Sequence, residues 1–235
     1  MSTLWGAFTI KKNAAKFDSD GFEILDNFIS PMEVELLKDA VGKSKLDAAK
    51  GGIRNAEKLF PDINSLATSD KMIAAAQNYL KGSPNFVRAI LFDKTPDNNW
   101  LVSWHQDKTI AISEITEIDG WGPWTIKDGI NHVQPPLVVL NDMITFRLHL
   151  DDTTKENGCL RVLPGSHQLG ILAASDVANY AATQVPVDCE AKAGSALVMR
   201  PHLIHASSKA KKPENRRVIH IEYSGYQLTN GLNWV

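Results

Sequence analysis

From residue 85 onward the chain breaks into short runs that are β-branched or that alternate apolar with polar residues. They are Val87–Phe92, Trp100–Trp104, Met143–Leu150, Cys159–Leu163, Ser195–Met199 and Val218–Tyr223. Turn-rich segments such as KTPDNN, TTKENG and LPGSH separate them. Many short strands with turn punctuation predict a β-sandwich or jelly roll, because each strand must bury one face against a second sheet. The first 84 residues read differently, with more helix than strand. Gly21–Ile29 predicts a strand. Ser30-Pro31-Met32-Glu33 then has the form of a capping box, and Leu36, Leu37, Ala40 and Val41 give the helix that follows one apolar face up to Gly42. A second helix is expected over Ser69–Leu80. No repeat, low-complexity tract or Gly/Ser linker divides the chain, so one domain is expected over 1–235, with a mostly helical part (1–84) and a jelly-roll core (85–224). Lys108–Gln134 fits no single strand and reads as a loop long enough to form a lid.

Twenty-five Lys and Arg against 27 Asp and Glu leave a net charge of −2, which disfavours a nucleic-acid partner. The first residues carry no apolar leader and no later run is long enough to span a bilayer, so no membrane partner is expected. Two cysteines, Cys159 and Cys189, make no disulfide scaffold and suit a reducing, cytoplasmic setting, where both read as small buried hydrophobes. A monomer or a modest dimer is expected.

The chemistry concentrates in Trp104-His105-Gln106-Asp107. A His and an Asp two apart on a strand face the same way, so imidazole and carboxylate can share one metal. One more imidazole from another strand would complete the two-His, one-carboxylate triad of non-haem Fe(II) oxygenases, which leaves positions open for co-substrate and dioxygen. An H-x-D alone is weak, and a second stands at His149-Leu150-Asp151. The segment RPHLIHAS followed by ENRRVI decides between them. His205, a hydroxyl at Ser207 and a guanidinium at Arg216 on the next strand form a carboxylate pocket beside a metal, and Arg grips a carboxylate with two parallel bonds. Enough strands lie between His105 and His205 to complete a barrel, whereas too few follow Asp151. His105, Asp107 and His205 are therefore the candidate ligands.

WHQD, then NGCLRVLPGSHQLG, then HAS with RRVIHIEY, resembles the phytanoyl-CoA dioxygenase family over residues 85 to 224, and more loosely over the N-terminal helices. The resemblance implies a double-stranded β-helix (jelly roll, cupin-like), mainly β with flanking helices. It also implies an Fe(II)- and 2-oxoglutarate-dependent dioxygenase that consumes O2 and releases succinate and CO2. His105, Asp107 and His205 match the family's iron ligands. Arg216 and Ser207 match its hold on the distal carboxylate of 2-oxoglutarate, and Arg147 falls where relatives place an inward side chain near that co-substrate. Arg147 is charged where an aromatic can stand, which points it toward the substrate instead. A carboxylate at Asp107, where halogenating relatives carry a small residue, favours hydroxylation.

For the other candidates the plain roles compete with the functional ones. Arg88, Gln134 and Trp121 are candidate substrate contacts, although strand arginines often close internal ion pairs and Trp121 and Trp124 can simply pack a lid. His149 and His202 read as structural, with His202 on the opposite strand face from His205. His167 reads as fixing a turn near the site mouth, and His132 and His220 have no spacing that recommends them. Arg217 should point away from Arg216 and be solvated or salt-bridged. Together these residues predict a hydroxylase for a small, polar, carboxylate-bearing metabolite such as an amino acid or its derivative. The alternatives are an acyl-CoA hydroxylase, whose phosphates could meet only the Lys209–Lys212 turn, and a cupin-like binding protein that is non-catalytic or holds another metal.

Overall fold

The computed structural model describes residues 5–6, 14–42, 52–212, 214–229 and 231–235. Helix α1 (Ala14–Asp20) leads into strand β1 (Phe22–Leu25), shorter than the expected Gly21–Ile29. Helix α2 (Pro31–Gly42) starts at the expected capping box: Glu33 N donates to Ser30 Oγ at 3.3 Å, and Ser30 N donates to Glu33 Oε2 at 2.6 Å. Strand β2 (Ile53–Arg54) precedes helices α3 (Ala56–Leu59), α4 (Pro61–Ala67) and α5 (Asp70–Gln77). Ser69 caps α5 by accepting from Met72 N, as its sequence predicts, but the helix stops at Gln77 instead of Leu80.

The expected β-rich part follows as β3 (Asn85–Lys94), β4 (Val102–His105), β5 (Ile110–Ile112), β6 (Trp124–Lys127), β7 (Ile130–Val133), helix α6 (Leu137–Asn141), β8 (Met143–His149) and β9 (Leu160–Val162). Helix α7 (Ala174–Thr183), β10 (Val187–Cys189), β11 (Ala196–Met199), β12 (His205–Ser207) and β13 (Arg216–Ser224) complete it. Every pairing is antiparallel. One sheet runs β1-β11-β8-β13-β3-β2 and a second runs β10-β9-β12-β4, the two walls of a jelly roll.

The segment Lys108–Gln134, expected as a loop long enough to form a lid, instead carries three short strands: β5-β7-β6 forms a third, three-stranded layer. Its strands escape a sequence reading because β6 is half-buried to exposed throughout and shows no alternation. This layer is anchored by an apolar cluster of Ile110, Ile112 and Val133 with Val87, Val139 and Met143, against which Trp121 and Trp124 pack. The largest core lies on the outer face of the six-stranded sheet, where the N-terminal helices cover Ile144, Phe146, Leu148, Ile219, Ile221 and Tyr223. Alternation then turns Thr145, Arg147, His149, Arg216, His220 and Glu222 to the interior of the roll. The helices thus seal the back of the sheet, and its inner face is free to carry polar chemistry. No helix among the described residues is long and apolar enough to cross a membrane.

Candidate active site

The two sheets enclose a cavity of about 170 Å³ lined by His105, Asp107 and His205 on one wall and by β3 and β13 side chains on the other. His105 and His205 are direct partners across the β4–β12 pairing, so their rings lie 4.2 Å apart between centroids. His105 Nδ1 meets Ser103 O and His205 Nδ1 meets Leu203 O, each at 2.8 Å. Each Nδ1 therefore carries the proton that its carbonyl accepts, and each Nε2 lone pair is free. Those Nε2 atoms stand 3.6 and 3.5 Å from the two oxygens of Asp107. Among the described residues these three are the one group of such side chains whose ligand atoms converge, all within 4.8 Å. Two imidazoles and a carboxylate around one point suit a divalent iron ion.

Asp107 is held by a backbone bond from its N to Pro201 O, 2.9 Å. Its neighbour Gln106 points the other way, donating to Gly170 O and His202 O and accepting from Leu172 N. The middle residue of the motif thus bolts the ligand strand to two loops, a role visible only once those loops are in place. Burial pushes His205 down to about 3, so its imidazole is neutral and ready to ligate. Burial alone would raise Asp107, but in acid the charged forms of His205 and His105 beside it outweigh burial and hold the carboxylate well below its usual range.

Arg216 and Ser207 reach the same cavity, as expected. The Ser207 hydroxyl donates to Gly158 O at 3.0 Å, and Arg216 Nη1 donates to the same carbonyl. Gly158 sits at φ +80°, and a Cβ there would come within 2.6 Å of Ser208 O, so only glycine brings this carbonyl so close. A third member had not been singled out by sequence. Lys94 is directly paired with Arg216 across β3 and β13 and is fully buried. Its Nζ donates to Ser207 Oγ at 2.8 Å and Ser208 O at 2.6 Å, under the Trp100 ring. Burial, then Arg216 and Arg147, lower Lys94 to about 7.

Arg147 lines the cavity beside Phe92, 5.4 Å from its ring, and burial lowers it to about 10. Its Nη1 meets His220 Nδ1 at 3.0 Å, and its Nε has no partner. Among the described residues no carboxylate lies within ion-pair distance of Lys94, Arg147 or Arg216. Arg88 lines the cavity too, but its guanidinium is spent in a buried, two-bond ion pair with Glu222 at 2.8 and 2.9 Å. Trp121 and Gln134 do not line this cavity; Trp121 packs in the apolar cluster under the third sheet and Gln134 is half-buried.

His149 is buried and bonded to Thr153, Arg217 forms a two-bond ion pair with Asp151, and both cysteines are buried and free, all as read from sequence. His202 is buried but lies in the turn before β12, not on a strand. His167 sits in the 3-10 turn Ser166–Leu169 against Gly21 and Asp18, and does not line the cavity.

Residues 17–218 match the profile of the phytanoyl-CoA dioxygenase (PhyH) family. The chain belongs to the phytanoyl-CoA dioxygenase family. Membership makes it an enzyme of the iron- and 2-oxoglutarate-dependent dioxygenases. Ectoine dioxygenase of Nocardia farcinica is 23% identical over 97% of this chain and 81% of its own. EctD from S. alaskensis, solved with 2-oxoglutarate and 5-hydroxyectoine, superposes with a TM-score of 0.70 at 21% identity, covering 93% of this chain and 77% of that one. HygX from Streptomyces hygroscopicus, solved with nickel, 2-oxoglutarate and hygromycin B, gives 0.67 at 16% identity over 92% and 87%. The expected jelly-roll fold and enzyme class are both borne out.

Proposed function

We propose that the enzyme hydroxylates a small metabolite that bears a carboxylate, with His105, Asp107 and His205 holding iron. Arg216, Lys94 and Ser207 take the distal carboxylate of 2-oxoglutarate, and Arg147 faces the substrate. When bound, iron and 2-oxoglutarate supply the oxidising chemistry, with dioxygen consumed and succinate and CO2 released.

The residues' part is to position and to exclude water. The backbone carbonyls on Nδ1 of His105 and His205 turn each Nε2 toward the metal position. Gly158 O fixes both the Ser207 hydroxyl and the Arg216 guanidinium, which leaves the remaining Arg216 donors to point into the cavity. The β5-β7-β6 layer packs its apolar cluster against Val87 and Met143, and its His132 meets the cavity-lining Arg88.

The observation that carries the substrate class is a surplus of buried positive charge. Arg147 and Arg216, with Lys94 as a third cation below about pH 7, share one cavity with no carboxylate of the described residues in ion-pair contact with them, and a single distal carboxylate can satisfy only part of that set. Cations buried without anions are costly unless a ligand completes them. Two buried free thiols support a cytoplasmic setting, and the helices sealing the sheet's back support a single working unit over 1–235. The test is oxygen-dependent succinate release with iron and 2-oxoglutarate across a panel of small carboxylates. A carboxylate that raises succinate release above the uncoupled rate, with the gain lost in Arg147→Gln, supports the reading. Stimulation confined to uncharged or cationic compounds refutes it.

A further inference from the structure

At the end of the cavity beneath β7, one polar chain crosses four strands. Arg147 donates to His220 Nδ1; His220 Nε2 meets Glu222 Oε1 at 3.2 Å; Arg88 grips Glu222; and Arg88 Nη1 meets His132 Nε2 at 2.7 Å. His132 Nδ1 ends the chain on Ile130 O at 3.0 Å. One assignment of protons satisfies every link: His220 carries its proton on Nε2 and His132 on Nδ1.

That assignment determines which groups remain open to a ligand. Glu222 has accepted three hydrogen bonds, of about four its carboxylate can take, and its charge is matched by Arg88. The imidazole lone pairs of His132 and His220 are both occupied by guanidinium N–H groups. Ser207 Oγ accepts from Lys94, and Asp107 belongs to the metal group. Among the described side chains lining the cavity the acceptor position left to an ammonium is the fourth on Glu222, whose charge Arg88 already matches, while Arg147 Nε is a buried donor with nothing to donate to.

We propose that the site takes a carboxylate with no ammonium beside it: an N-acylated amino acid or a simple or hydroxylated carboxylic acid, and not a free, zwitterionic amino acid. This deepens the substrate class proposed above and rests on it. A carboxylate docked on Arg147 would hold an α-ammonium close to two guanidinium groups, in a buried setting where like charges repel strongly and no carboxylate is free to compensate. Arg147 is the specificity-determining residue. His220 and Glu222 are positioning residues that fix its guanidinium.

The experiment compares probes that differ in one group: alanine and leucine against N-acetylalanine, N-acetylleucine and 4-methylpentanoate. Binding is followed by ligand-observed NMR on protein loaded with diamagnetic Zn(II) and excess 2-oxoglutarate, so that Asp107 is taken by the metal, and by perturbation of the visible band of the anaerobic Fe(II)–2-oxoglutarate complex. The acylated and des-amino probes are expected to bind at least tenfold tighter than the free amino acids. Arg147→Gln should remove that preference, and Arg147→Lys should retain part of it. Equal affinity within each pair, tighter binding of the amino acids, binding of no probe, or an unchanged preference in Arg147→Gln overturns the proposal. Failure of the iron and 2-oxoglutarate reading shows itself separately, as absence of the visible band, whereas failure of the substrate proposal shows itself as a normal band with no preference among the probes.

Discussion

If 2-oxoglutarate binds as proposed, Lys94 makes that hold depend on pH. Its ammonium is buried between Arg216 and Arg147, and burial first, then those two guanidinium groups, lower it from 10.5 to about 7. A dicarboxylate arriving at this end favours the charged form, so binding above pH 7 must draw a proton from solvent. If only the protonated site binds well, the apparent affinity is unchanged below about pH 6 and weakens about tenfold per pH unit above 7. Replacing Arg216 by Gln has two opposed effects. It removes charge-assisted hydrogen bonds worth about 1.5–3 kcal/mol, or about 10- to 150-fold in affinity. It also removes one cause of the Lys94 shift, so the pH dependence moves upward. Lys94→Met should flatten the dependence altogether. Isothermal titration with 2-oxoglutarate on anaerobic Fe(II)-loaded protein, run in two buffers of different ionisation enthalpy, reads affinity and proton uptake together. Wild-type affinity that stays constant from pH 6.5 to 8.5 with no proton uptake would refute the coupling.

Acid should destabilise the fold through neutral histidines outside the metal group. Burial lowers His149 to about 3 and His202 to about 4, from 6.5, so the unfolded chain takes up protons that the native one refuses. Their contribution is complete above pH 6.5 and is lost as pH falls toward 3–4; by pH 4.5 each costs on the order of 2–3 kcal/mol. Urea midpoints at pH 7 and 4.5 test this, and His149→Gln should reduce the difference. Glu33→Ala should cost about 3–5 kcal/mol in chemical denaturation, because Lys71 Nζ, 3.0 Å from that carboxylate, would be left buried and unpaired. Replacing both, as Glu33→Leu with Lys71→Met, should cost far less; an equal loss would mean that the pair is not the cause.

The fold was legible where burial leaves a local signature. Val87–Phe92, Met143–Leu150 and Val218–Tyr223 are β-branched because they form the middle of the six-stranded sheet, and Ser30 with Glu33 marks a helix start by side-chain chemistry alone. The triad was legible from the two-residue spacing of His105 and Asp107, although β4 ends at His105 and Asp107 follows it, held by its backbone bond to Pro201 O. The third sheet was hidden because β6 is largely exposed and its Trp, Gly and Pro neighbours read as turn. Lys94 was hidden because a lysine at a strand end reads as solvated; its burial follows from register with Arg216 on a distant strand. The chain from His132 to Arg147 joins four strands far apart in sequence, so no spacing could announce it. Only the i, i+2 pair His220 and Glu222 on β13 was available as a local hint.

The central claim is that His105, Asp107 and His205 hold iron while Arg216 anchors a keto acid bound to it. Its most direct test is the visible absorbance of the anaerobic apo-protein, titrated with Fe(II) and then with 2-oxoglutarate. A weak charge-transfer band is predicted that requires both additions, disappears in His205→Ala and is weaker at equal 2-oxoglutarate in Arg216→Ala. Folded, iron-loaded protein that develops no band at saturating 2-oxoglutarate, or a band that survives His205→Ala, would contradict the account.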